Sequence, residues 1–114
     1  MQFDVFFSIS QTPDSTGYCP DEQTMYSNYI EQLKLADNLG YGVAWIAQAH
    51  LSTEVQKRNR NPVIPHWEGE VGLCTDFFQL AALSFAETEH IEVGSAVLSI
   101  LANGGPIAVA ERVV

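Results

Sequence analysis

His50 is the side chain of this sequence best suited to move a proton at neutral pH, because an unperturbed imidazole titrates near ~6.5. A histidine in a loop can also serve only as a partner for a backbone carbonyl, and residue type alone does not separate the two roles. The run Ser95, Ala96, Val97 and Leu98 is a second candidate. Its short side chains would let backbone approach a flat ring system, although an ordinary buried strand has the same composition. Phe7 and Ser8 close another apolar run and would touch a ligand lying across the same end of a sheet. No metal centre is expected, since His50, His66, His90 and Cys74 have no short ligand spacing. Cys19 and Cys74 form no C-x-x-C pair and read as free thiols. Asn103, Gly104 and Gly105 precede a helix start, as in an anion cradle, but their spacing matches neither a dinucleotide fingerprint nor a P-loop.

The elements that would position these groups are legible in the apolar pattern. Phe3 to Ile9 (FDVFFSI), Val43 to Ala47 (VAWIA) and Ile91 to Leu98 (IEVGSAVL) are short apolar runs with the residue types of buried strands. Between the first two, Tyr26, Tyr29, Ile30, Leu33 and Ala36 recur at helical spacing, and Gly40 supplies a left-handed cap. Asp21 and Glu22, after Pro20, place negative charge at the start of that helix. A second helix is predicted from Asp76, with Gln79 as its reciprocal capping partner. Its apolar surface (Phe77, Phe78, Leu80, Ala81, Ala82, Leu83, Phe85) is wide enough to predict burial on more than one side. A third helix is predicted over Pro106 to Val114, where the chain stops without a cap, as though inside an element. Residues 51–75, rich in proline and glycine and without a sustained period, read as a long functional loop. Strand and helix in strict alternation predict an α/β fold with a parallel sheet in the order one, two, three and right-handed crossovers.

Composition narrows the partners. The chain has 114 residues, 46% of them apolar and 17% charged, so it reads as one globular domain over residues 1–114. Fourteen acidic against five basic residues give a formal charge of −9, which repels phosphate backbones and anionic lipid heads. Nucleic acid and membrane are therefore not expected as partners. The longest nearly apolar run, Ala96 to Ala102, is far below the roughly 20 residues that span a bilayer. Met1 to Ser10 carries no secretory signal, so a cytoplasmic location is expected.

Two segments resemble the luciferase-like monooxygenase superfamily, which includes bacterial luciferase and deazaflavin-dependent reductases. LADNLGYGVAWIAQAHLS (Leu35 to Ser52) is similar to the family's helix end, tryptophan-bearing second strand and following Glu-His-His-Phe. FFQLAALSFAETEHIEVGSAVLSILANGGPIAVAERV (Phe77 to Val113) is similar to its second helix, third strand and the Pro and Ala-Glu opening of its third helix. The resemblance implies the first three strand-helix units of a TIM (β/α)8 barrel, an incomplete barrel, since the full fold takes about 250 residues. It also implies a flavin-dependent oxidoreductase in which reduced FMN and oxygen oxidise a small organic substrate, with a flavin reductase as a compatible partner. Hydride transfer with the deazaflavin F420 is the alternative within the superfamily. A truncated, non-catalytic association module is the alternative outside catalysis. Carried over residue by residue, the family's Glu-His-His falls on Gln48, Ala49 and His50, so any acid/base role passes to His50 or to a residue outside this chain. Ser95 to Leu98 would bind the cofactor, with a non-proline cis peptide at Ala96 to Val97, and Phe7 and Ser8 would face the substrate. The second and third helices would form a homo-oligomer interface.

Overall fold

A computed structural model of the chain describes residues 1–9, 11, 14, 16–48 and 75–114. Among them the chain forms β1 (Val5–Phe7), α1 (Glu22–Asn38), β2 (Val43–Ile46), α2 (Phe77–Glu87), β3 (Glu92–Ser95) and α3 (Gly105–Val113). The sheet is parallel throughout in the order β1-β2-β3. This is the α/β arrangement and strand order expected from strand-helix alternation.

Each helix starts and stops for a local reason. Asp21 accepts a hydrogen bond from the Thr24 N–H at 2.7 Å, and Asp76 accepts one from the Gln79 N–H at 3.1 Å, so each carboxylate satisfies a donor of a first turn. Helix α1 ends in a Schellman motif, in which the Gly40 N–H reaches Asp37 O and the Tyr41 N–H reaches Ala36 O. The motif needs left-handed backbone at Gly40, which has φ 78°. Helix α3 starts without a side-chain cap, at Gly104 with φ 94°.

In-register partners of a parallel ladder point to the same side, so alternation along the strands divides the sheet into two faces. Phe7, Ala44 and Ile46 lie on the face covered by helices, and all three are buried. There the Phe7 ring meets Tyr29 of α1 edge to face, 5.0 Å between centroids, and Leu33 and Leu80 complete the contact. The opposite face carries the in-register row Phe6, Trp45 and Gly94. Phe6 is 60% exposed and Trp45 38% exposed, and none of the described helices covers this side. The Trp45 indole lies against β3: a Cβ added to Gly94 would stand 2.6 Å from its ring. Its N–H donates to Asp4 at 3.2 Å, and the second oxygen of that carboxylate accepts the Val43 N–H.

Several expectations need correction. The third strand ends at Ser95 and not Leu98, because its partner β2 ends at Ile46 and the last ladder bond is Ala96 N–H to Ile46 O. The first strand likewise spans Val5–Phe7 within the expected 3–9, flanked by bonds from Gly42 to Phe3 O and from Ala47 to Phe7 O. Helix α2 is buried along one side only, through Leu80, Ala81 and Ser84, while Leu83 and Phe85 remain exposed. No peptide among the described residues is cis, so the Ala96 to Val97 bond is trans. A non-proline cis bond costs about 3 kcal/mol and persists only where packing enforces it. Val97 is 58% exposed, so its side chain is not packed tightly enough to enforce it. The expected loop over 51–75 falls outside the described residues except at Thr75.

Candidate functional site

The carboxyl ends of the three strands lie at one edge of the sheet, together with the starts of α1, α2 and α3, as parallel topology with helical crossovers requires. Ser8 follows β1 there and is exposed. Phe7, one residue earlier, turns the other way, and its ring belongs to the core beside Tyr29. The two members of the expected substrate contact therefore face opposite sides of the sheet.

Ser95 is the last residue of β3 and shares a face with Ile46, its in-register partner. It points toward the helices, along a groove of about 520 Å3 that Phe77, Phe78, Leu98 and Arg112 also line. Ala96 and Val97 are exposed just beyond the strand. Thus Ser95 and Leu98 look to one side, and the exposed backbone of Ala96 and Val97 forms the open part of this edge. His50 and Ala49 lie outside the described residues, as does Cys74, while Cys19 is an exposed free thiol. Among the described residues no group of three His, Cys, Asp or Glu side chains could hold a metal, and no helix is long and apolar enough to cross a membrane.

The structure adds residues that composition and spacing did not single out. Gln48, two residues past β2, is 5% exposed, and Asn103, in the turn leading into α3, is also 5% exposed. Asn103 Nδ2 donates to Ser99 O at 2.8 Å and to Gln48 Oε1 at 3.4 Å. The Ser99 carbonyl can only accept, which fixes the amide of Asn103, and this in turn directs Gln48 Oε1 toward it. Gln48 Nε2 is left buried without a partner, as are Thr75 Oγ1 and Ser95 Oγ. Buried polar atoms are normally paired, so three unpaired ones at the strand ends mark this edge as chemically unfinished. The only sequence signals were a glutamine directly after an apolar strand and an asparagine directly before two glycines.

Among the described residues, Asp21, Glu22 and Asp76 bring acidic charge to the helix starts at this edge. Asp21 is held below the usual aspartate range by the Thr24 backbone N–H and, next, the Thr24 hydroxyl. Arg112, a basic group on the groove, lies with its guanidinium carbon 5.2 Å from the centre of the Phe78 ring.

Comparison with known proteins completes the picture. No curated protein and no solved structure matches the chain. A family model described as luciferase-like monooxygenase matches residues 1–114. The parallel β-α units agree with that match, and the chain belongs to the luciferase-like monooxygenase family.

Proposed function

We propose that this chain forms the first three strand-helix units of a TIM-barrel oxidoreductase of the luciferase-like family, and that it contributes part of a flavin seat at the carboxyl ends of its strands. The observation that carries the reading is the family match over residues 1–114. The uncovered sheet face with Phe6 and Trp45 supports the barrel part, because a parallel sheet is normally covered on both sides and a closing barrel would bury this one.

The residues present fit a planar cofactor in two respects. Ala96 and Val97 offer exposed backbone with small side chains, and Gln48 Nε2 and Ser95 Oγ are buried polar atoms without partners at the same edge. Reduced FMN would supply the electrons with which oxygen oxidises a small organic substrate. The chain's own part would be to support the ring along Ala96 to Leu98, to present Ser8 to the substrate, and to hold or release a proton at the His50 imidazole. F420 would use the same seat.

Titration of the isotope-labelled chain with FMN, and separately with F420, tests the proposal. The expected outcome is localised movement of the Gly94 to Leu98 backbone amide resonances, with affinity weaker than ~1 μM because the other barrel units would complete the pocket. If those amides stay still at millimolar FMN and F420, this edge is not a flavin seat. Tighter binding than ~1 μM would show that three units make a sufficient pocket.

A further inference from the structure

We infer that Gln48 is a positioning residue: through Asn103 it locks the turn after β3 to the end of β2, and so sets where the Ala96 to Leu98 backbone stands. The inference rests on the flavin reading for the identity of the ligand, but not for the contact itself.

Several bonds close the turn on itself. The Asn103 N–H and side-chain amide both reach Ser99 O, the Gly105 N–H reaches Ile100 O, and the Ala102 N–H reaches Ser99 Oγ. Ile100 and Leu101 are 48% and 85% exposed, so apolar packing does little to hold it in place. Beyond the ladder bond from the Ala96 N–H to Ile46 O, the bond between Gln48 and Asn103 joins this turn to the β2 strand end, across 55 residues of sequence. Both side chains are buried, and burial disfavours conformations that leave a carboxamide oxygen or amide hydrogen unanswered. Gln48 answers Asn103 with its oxygen while its own Nε2 stays unpaired. A side chain retained with that defect serves its partner, and the part of the turn next to β3 is Ala96 to Leu98.

Hydrogen exchange together with FMN titration tests this on the full chain. Gln48→Met keeps the length of the side chain and removes the acceptor, and Asn103→Ala removes the donor from the other side. In both, exchange at the Asn103 and Gly105 amides should quicken about five- to tenfold, while the Ala47 and Ala96 ladder amides stay near wild type. FMN-induced movement of the Ala96 to Leu98 resonances should shrink in the same variants. Gln48→Glu, which retains an acceptor, should keep the turn protected relative to the ladder. Unchanged turn exchange in Gln48→Met and Asn103→Ala overturns the inference, and so does a Glu variant as loose as the Met variant. A loosened turn with undiminished FMN response overturns it as well, because the turn would then be held for some other purpose. Absence of any FMN response in the wild-type chain removes the ligand to be positioned and sinks the flavin reading with it. The exchange data, collected without FMN, would still tell the two failures apart. Should one variant not fold, the other carries the same comparison.

Discussion

The Tyr29 and Ser84 hydroxyls, 2.7 Å apart between α1 and α2, have one allowed direction of donation. Ser84 gives its single proton to Leu80 O at 2.7 Å, so Tyr29 must be the donor to Ser84 Oγ. Both residues are buried, at 3% and 0% exposure, and burial pushes the Tyr29 phenol above its ordinary value. Replacing Ser84 by alanine leaves a buried phenol unanswered and should cost about 1–3 kcal/mol. Tyr29→Phe leaves Ser84 bonded to Leu80 O and should cost only about 1 kcal/mol. Urea unfolding of the two single variants and the double variant checks the order, and a double variant less stable than Ser84→Ala would contradict the assigned direction. None of this was legible in the sequence. Tyr29 announced itself as a core residue by its helical spacing, but a serine 55 positions away carries no local sign that it answers a phenol. Gln48 and Asn103 were hidden for the same reason.

At the scale of elements, Asp37 joins the last turn of α1 to the lead-in of β3. Its carboxylate accepts the backbone N–H groups of Glu89, His90 and Ile91 at 2.8, 3.1 and 2.8 Å. The Glu89 bond is the largest cause holding the acid below 3.8, its ordinary value, with Ile91 and His90 contributing less. A depressed acid stabilises the fold above its unfolded value and loses that contribution as pH falls through the folded one. Stability should therefore hold at and above about pH 5 and decline as pH drops below 3.8. Asp14 and Asp21 are shifted the same way and contribute to the same decline. Asp37→Asn should lower stability at pH 7 and flatten the acid slope, measured as thermal midpoints from pH 2.5 to 7. An acid slope identical to wild type would show that the clamp is not what titrates. Element identity and order were the most legible part of the chain, because helical period, the Asp21 and Asp76 caps and Gly40 all act within a few residues. The ends of the strands were not, since β3 stops where β2 stops, and nothing in VLSI at 97–100 records the length of a neighbour.

For the whole molecule, the open question is what covers its apolar surface. Helices α2 and α3 border the groove that Phe77, Phe78, Phe85 and Ala82 line, and Leu83 and Ile107 are exposed nearby in the sequence. Among the described residues, the β1 and β3 strands each leave an unpaired edge. Self-association is the expected result, through the helices or through the edges, and light scattering after size-exclusion chromatography reads it. Ala82→Glu places a charge in the groove and should dissolve a helix-mediated dimer while sparing association through the edges. A stable monomer at micromolar concentration would dispose of both routes.

Trp45 touches all three strands at once: it belongs to β2, its N–H is held by Asp4 ahead of β1, and its ring covers Gly94 of β3. Its excited state therefore samples the whole sheet, with a carboxylate at the pyrrole end and backbone beneath the benzene end. Trp67 is the only other tryptophan, so a Trp67→Phe chain has a single emitter. Its emission would change when any one strand leaves register, including a separation of β1 or β3 from β2 that leaves the helices formed and the far-ultraviolet dichroism almost unaltered. The chain thus contains its own optical gauge of sheet assembly, one able to separate loss of strand pairing from loss of helix.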